Sequence, residues 1–201
     1  MIKSILWDFD GVLINSNEIR DLGFITTLKE YPKDQVDQLL AFHHENGGLS
    51  RYVKFKYFFE NIRMETAEQS RIDELVSSFS KIMRTLLVNP DLLIKENMHF
   101  IEMNYDSFNM HIVSGSDGKE LKYLCEELNI IKYFKSVHGS PTPKTQLVSE
   151  LISKNNYNRN ECILIGDSIN DYEATNDNNI FFKGYGNEKI IKLTNKELVL
   201  N

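Results

Sequence analysis

A chain of 201 residues is long enough for one sizeable hydrophobic core, or for one core carrying a small inserted domain. With 41% hydrophobic and 26% charged residues the composition is globular, and a formal charge of −6 excludes the broad basic face that general nucleic-acid binding needs. The opening apolar run is too short for a secretory leader and no stretch reaches the length of a transmembrane span, so the sequence predicts a cytoplasmic protein with neither a membrane nor a nucleic-acid partner.

Ile2–Trp7 reads as a short buried strand that ends in loop chemistry at Asp8-Phe9-Asp10-Gly11. From Ser16 to about Leu87 the pattern is helical. Val36, Leu39, Leu40 and His43 mark one helix. Tyr52, Val53, Phe55, Phe58 and Phe59 mark an aromatic-rich one, read as packing core. Ile72, Leu75, Val76, Phe79, Ile82, Met83 and Leu86 are spaced by three and four residues throughout. Asn89-Pro90 breaks the pattern. Met110–Val113 is then a strand ending in Ser114-Gly115-Ser116-Asp117-Gly118, with Ser116 and Asp117 placed to cap the helix that carries Leu121, Leu124, Cys125 and Leu128. Phe134–His138 is a third strand, a helix begins near Thr145, Cys162–Ile165 is the cleanest strand, and Asn179–Phe182 the last. Cys125 and Cys162 lie in apolar periodic stretches and read as buried free thiols. Strands alternating with helices predict a Rossmann-like α/β fold: a parallel sheet flanked by helices, with right-handed crossovers. The helical stretch between the first two strands is too long for a simple crossover, and predicts an inserted all-helical domain over residues 15–87 within a core formed by 1–14 and 88–201.

Ligands of such sheets bind beyond the carboxyl ends of the strands. Each polar cluster follows a strand, which places Asp8, Asp10, Ser114, Lys144 and Asp167 along one sheet edge. Asp8 and Asp10, two positions apart, repel unless a cation lies near; Mg²⁺ suits their oxygens. An aspartate can also attack phosphorus, and a second carboxyl beside it can protonate the leaving oxygen and later activate water. Gly11 permits the tight turn. Taken alone, the same four residues also fit a solvated turn. Ser114 and the Gly115 amide fit either a phosphate oxygen or a helix cap. Lys144, in a loop stiffened by Pro141 and Pro143, fits either a counter-charge for a phosphoryl group or a solvated lysine. Asp167 and Asp171 fit either a metal carboxylate with an outer partner or a capped helix.

The set in order, Trp7–Ser16, Ile112–Ser116, Gly139–Lys144 and Ile163–Asp171, resembles the four motifs of the haloacid dehalogenase-like (HAD) superfamily. That resemblance implies Asp8 as nucleophile and Asp10 as general acid and base. It implies Mg²⁺ held by Asp8, the Asp10 carbonyl and Asp167, with Asp171 behind them. It implies a phosphoryl group held by Ser114, Lys144 and the amides of Phe9, Asp10 and Gly115. An aspartate at position 10 points to phosphatases or phosphomutases rather than dehalogenases. The insert is similar to the helical cap of the phosphoglycolate phosphatase and β-phosphoglucomutase branch. The expected activity is hydrolysis of a small phosphomonoester (a sugar phosphate, a phosphoglycolate-like acid or a nucleotide), with phosphomutase as the alternative, or a non-catalytic binding protein on the same fold. The expected partner is that small molecule, and the expected state a monomer or homodimer. Within the insert, the Gly47-Gly48 to Arg51 segment fits either a substrate-facing loop in which Arg51 grips an anion or a turn with a surface arginine. His43 and His44 read as core or surface histidines. Lys54 and Lys56 read as a solvated face.

Overall fold

The computed structural model describes residues 1–195. Five parallel strands form one sheet in the order β3-β2-β1-β4-β5: β1 (Ser4–Trp7), β2 (Asn109–Asp117), β3 (Ser136–Ser140), β4 (Cys162–Gly166) and β5 (Phe181–Gly184). Nine helices are described: α1 (Asn17–Thr27), α2 (Lys33–Glu45), α3 (Arg51–Tyr57), α4 (Gln69–Leu86), α5 (Lys95–Asn104), α6 (Gly118–Glu127), α7 (Lys144–Asn155), α8 (Ile169–Asn178) and α9 (Glu188–Ile191). The α/β architecture is the one expected from alternating patterns. No helix among the described residues is long and apolar enough to cross a membrane.

Several elements differ from the sequence expectation: β5 starts at Phe181 rather than Asn179, and β2 runs on to Asp117 rather than ending at Val113. Helix α5 is missed because its buried residues, Asn97, Met98 and Ile101, include a polar one that bonds the Val12 carbonyl and so blurs the apolar stripe. Strand β3 lies two residues later than expected, because Phe134 packs in the core from the turn before the strand rather than from the strand itself.

β1 is buried on both faces, as the central strand of a parallel sheet must be. Ile5 and Trp7 join Met110, Ile112, Ile163 and Ile165 in a cluster continued by Leu121 and Leu124 of α6. Leu6, Val113, Leu164 and Phe182 point the other way and meet Leu147 and Val148 of α7 and Ala174 of α8. Trp7 pairs with both Ile112 and Ile165, so the residues that follow these three strands leave the sheet at one level. Both thiols are buried and free.

Helices α1 to α4 lie between β1 and β2 in sequence. Their aromatic centre, Phe24, Phe55, Phe58 and Phe79, is continuous with the sheet cluster through Phe9, Val12 and Ile14. The expected domain division runs through this shared cluster, and residues 196–201 of the expected core lie outside the described residues. The two chain segments that join the helices to the sheet run side by side: the Asn15 amide donates to the Leu92 carbonyl at 2.8 Å and the Ile94 amide to the Leu13 carbonyl at 2.9 Å.

Phe24 is buried against Phe79 at 4.6 Å and Phe55 at 5.4 Å between ring centroids. Its replacement by alanine leaves a cavity among rings that cannot all collapse, and urea unfolding followed by circular dichroism is expected to show a loss of about 3–5 kcal/mol. A loss below about 1 kcal/mol would show that these rings are not a tightly packed core.

Candidate active site

Asp8 follows β1 directly, and its amide donates to the Ile165 carbonyl, which fixes the residue at the sheet edge. Its Oδ1 accepts from the Phe9 amide at 2.8 Å and lies 3.0 Å from Lys144 Nζ. Lys144 opens α7 and is buried, not solvated; its ammonium also donates to Asp171 Oδ1. Asp171, in the first turn of α8, accepts from the Ser168 amide at 3.1 Å and the Ser168 hydroxyl at 2.6 Å. It therefore caps its helix, as one of its two sequence readings expects, and also pairs with the lysine. Burial works against the Lys144 charge, but Asp171 and Asp8 together raise its pKa.

Asp8, Asp167 and Asp171 present carboxylate oxygens within 4.8 Å of one another. Burial first, then repulsion from Asp171, raises the Asp8 pKa; burial and repulsion from Asp8 do the same to Asp167. One lysine cannot neutralise three carboxylates, so the donor set is short of positive charge and suits a divalent cation. The turn leaves space there. Gly11 has φ +73°, and a Cβ at this position would stand 1.9 Å from Asp167 Oδ2.

The Asp10 side chain lies apart from that cluster. It accepts from Ser16 and Ser116 hydroxyls and from Arg20 Nε at 3.0 Å and Nη2 at 3.2 Å. Burial favours its neutral form, but Arg20 and these hydrogen bonds outweigh burial and hold its pKa at about 2. The Asp10 carboxylate is thus not one of the three clustered acids, and the metal role expected of this residue is left to its backbone carbonyl.

Ser114 stays in β2, where its hydroxyl accepts from the Ser116 amide at 3.2 Å; the cap of α6 is Asp117, which accepts from the Lys119 and Glu120 amides. Ser116, expected as a capping residue, instead faces Asp10 and Arg20. The loop between α2 and α3 presses on this strand end. A Cβ on Gly115 would stand 2.1 Å from the Gly48 carbonyl oxygen, so only glycine permits the approach.

Beneath that loop is a partly open cavity of about 60 Å³, bounded by Asp8, Asp10, Ser114, Gly115 and Asp167 on the sheet side and by Arg20, Arg51 and Lys54 on the helical side. A wider groove of about 850 Å³ beside it shares Asn17, His43, Gly47 and Asp167. Arg51 is not on the surface: at the start of α3 it is buried, stacked 4.6 Å above Phe79 and bound to Glu120. Lys54 also departs from expectation. It is 3% exposed, and its ammonium bonds His43 Nδ1 at 2.8 Å and the Gly47 carbonyl at 3.0 Å. Lys56 is solvated as expected. Arg20 and Glu120 were missed. Each is a charge at an apolar-stripe position of a helix, Arg20 four residues before Phe24 and Glu120 four before Leu124, and that is the signal that could have found them.

The chain belongs to the haloacid dehalogenase-like hydrolase family, whose model matches residues 5–184. No curated protein matches it by sequence. Similar solved structures share the fold at low identity. A structure described as a predicted phosphatase from Clostridium acetobutylicum has TM-score 0.74 at 15% identity, covering 96% of this chain and 90% of that one. A β-phosphoglucomutase from Clostridium difficile has TM-score 0.74 at 16% identity, covering 96% and 89%. A predicted phosphoglycolate phosphatase from Haemophilus somnus has TM-score 0.69 at 17% identity, covering 91% and 84%.

The raised carboxylates have a measurable consequence. Asp8 and Asp167 keep their protons to higher pH in the folded chain than in the unfolded one. Their contribution is therefore fullest below the ordinary carboxylate pKa near about 4 and declines as pH rises through the folded values. Thermal melts of metal-free protein are expected to show Tm falling from about pH 5 to about pH 8, with Asp167→Asn flattening the slope and a divalent cation raising Tm more at the higher pH. A cation effect equal at both pH values would argue against a site built on these groups.

Proposed function

We propose that this chain is a Mg²⁺-dependent phosphatase of small phosphomonoesters, working through an aspartyl phosphate on Asp8. The observation that carries the reading is the Asp8 carboxylate, held at the sheet edge by Lys144 and the Phe9 amide, lining a small cavity and beside Asp167 and Asp171. Asp8 attacks phosphorus and the ester oxygen departs. Ser114, the Gly115 amide and Lys144 hold the phosphoryl oxygens and offset their charge, helped by the Phe9 and Asp10 amides. Asp8, the Asp10 carbonyl and Asp167 would hold Mg²⁺, with Asp171 orienting Lys144. The ion would supply positive charge against the phosphoryl oxygens and the nucleophile.

Asp10 is assigned the proton transfers. Its hydrogen bonds favour the ionised form, which suits the second half of the reaction, when a base must take a proton from the attacking water. For the first half it must carry a proton to the leaving oxygen. That requires Arg20 and Ser116 to loosen their hold as substrate enters, so proton uptake accompanies binding. The helices over residues 15–87 are assigned the role of a cap that admits substrate and then excludes water, with Arg51 part of its inner wall. The same phosphoenzyme serves a phosphomutase, which needs a bisphosphate activator and releases little phosphate. We place the protein in the cytoplasm.

Phosphate release from a broad set of phosphomonoesters, with Mg²⁺ and with chelator, tests the reading. Asp8→Asn is expected to lower kcat by on the order of 10³ or more, and Lys144→Met by roughly 10². Release that survives both chelator and Asp8→Asn would overturn it. Activity only with a bisphosphate activator would transfer the site to mutase chemistry.

A further inference from the structure

Four cationic side chains meet the buried acids around the cavity, and they are not equally committed. Lys144 is bonded to Asp8 and Asp171. Arg20 uses all three nitrogens on protein groups: Nε and Nη2 on Asp10, Nη2 also on Ser116, and Nη1 on Glu120 at 2.7 Å. Arg51 gives Nη1 to Ser80 and Glu120, Nη2 to Glu120 at 2.7 Å, and its face to Phe79. Glu120 is fully buried between the two arginines and saturates both forks. Lys54 differs. Its two partners, His43 Nδ1 and the Gly47 carbonyl, are neutral acceptors, and no carboxylate among the described residues pairs with it. His43 is held neutral, its pKa lowered to about 3 by burial and then by Lys54 itself. An ammonium has three donors, so one remains after these bonds, on a residue that lines the cavity. Lys54 is thus a buried amine with no ion-pair partner among the described residues, a costly setting for its charged form.

We propose that Lys54 is the specificity-determining residue: its ammonium binds a carboxylate at the non-reacting end of the phosphate ester, so that the substrate is a phosphorylated short-chain hydroxy acid. The inference rests on the phosphatase reading and narrows it. Lys54 approaches from the helical side, opposite the phosphoryl-holding groups on the sheet edge, so it meets the far end of a ligand whose phosphorus sits at Asp8. The cavity of about 60 Å³ continues into the wider groove past His43, Gly47 and Asp167, and Lys54 lines its narrow part, so a ligand with a short tail brings its far end to the ammonium. Burial, chiefly, lowers the Lys54 pKa to about 7, so an entering carboxylate also restores full charge to the group. His43 and the Gly47 carbonyl are positioning groups. They aim the ammonium and fix the loop that closes on Gly115.

The test compares two esters of matched size with the Mg²⁺-loaded enzyme: 2-phosphoglycolate, which ends in a carboxylate, and 2-hydroxyethyl phosphate, which ends in a hydroxyl. The wild type is expected to favour the acid in kcat/KM by about tenfold or more, the size of a charge-assisted hydrogen bond. Lys54→Met is expected to lower that ratio roughly tenfold to hundredfold, mainly through KM for the acid, and Lys54→Gln to lower it similarly. A wild type that treats the esters alike overturns the proposal without any variant. So does a variant that loses both esters equally, which would place Lys54 on the phosphoryl group. If neither ester is hydrolysed but others are, in an Asp8-dependent manner, the hydroxy-acid assignment fails and the phosphatase reading stands. If no ester is hydrolysed, both fall.

Discussion

The bond network between Lys144, Asp8 and Asp171 is the constraint on which the rest of the site depends. Three carboxylates converge where β1 and β4 end, and among the described residues the lysine that opens α7 is the one cation bonded to two of them. Burying ionised acids together is unfavourable unless charge and hydrogen bonds compensate. Here the compensation is distributed: Lys144 for Asp8 and Asp171, the Ser168 amide and hydroxyl for Asp171, the Phe9 amide for Asp8. Asp167 receives the least. The remaining negative charge suits a cation, and the placement of the acids follows from sheet register, since Trp7, Ile112 and Ile165 stand side by side.

A second charge balance lies above the first and connects helices to sheet. Glu120 comes from α6, which packs on the sheet; Arg20 and Arg51 come from α1 and α3. Through Arg20 the network reaches Asp10, so the state of the residue assigned to proton transfer is tied to how the helices sit on the sheet. Removing Arg20 from Asp10 takes away the leading cause of its low pKa. Any loosening of Arg20 from Asp10 would therefore favour protonation of Asp10, and protonation of Asp10 would weaken that tie between helices and sheet.

Much of this was legible in the sequence. Short apolar runs bounded by turn residues located the sheet strands to within a few residues, spacing by three and four located the long helix α4, and the polar residues near the strand ends grouped Asp8, Asp10, Ser114, Lys144 and Asp167 on one edge, where the structure has them. What the pattern could not convey were contacts made by side chains far apart in sequence. Glu120 and Arg20 are a hundred positions apart and meet only because α6 and α1 are adjacent in space. Lys54 occupies a helix face with aromatic neighbours, and a lysine is ordinarily the exposed residue of such a face. Only its enclosure by His43 and the loop at Gly47 shows otherwise. Helix α5 escaped for a related reason: Asn97 is buried for a hydrogen bond to Val12, which hydrophobicity does not register.

The paired segments at Leu13–Asn15 and Leu92–Ile94 carry a consequence of their own. The chain leaves the sheet and returns to it at nearly one point, so β1 and β2 pair without regard to what lies between the two crossings. Lengthening, trimming or exchanging the intervening helices would change the wall of the cavity while Asp8, Lys144 and Asp171 keep their places. Asp10 does not share that independence, because Arg20 of α1 holds it. The two adjoining peptide segments are thus a seam along which one half of the molecule can drift while the other is held, save for the bonds that cross it.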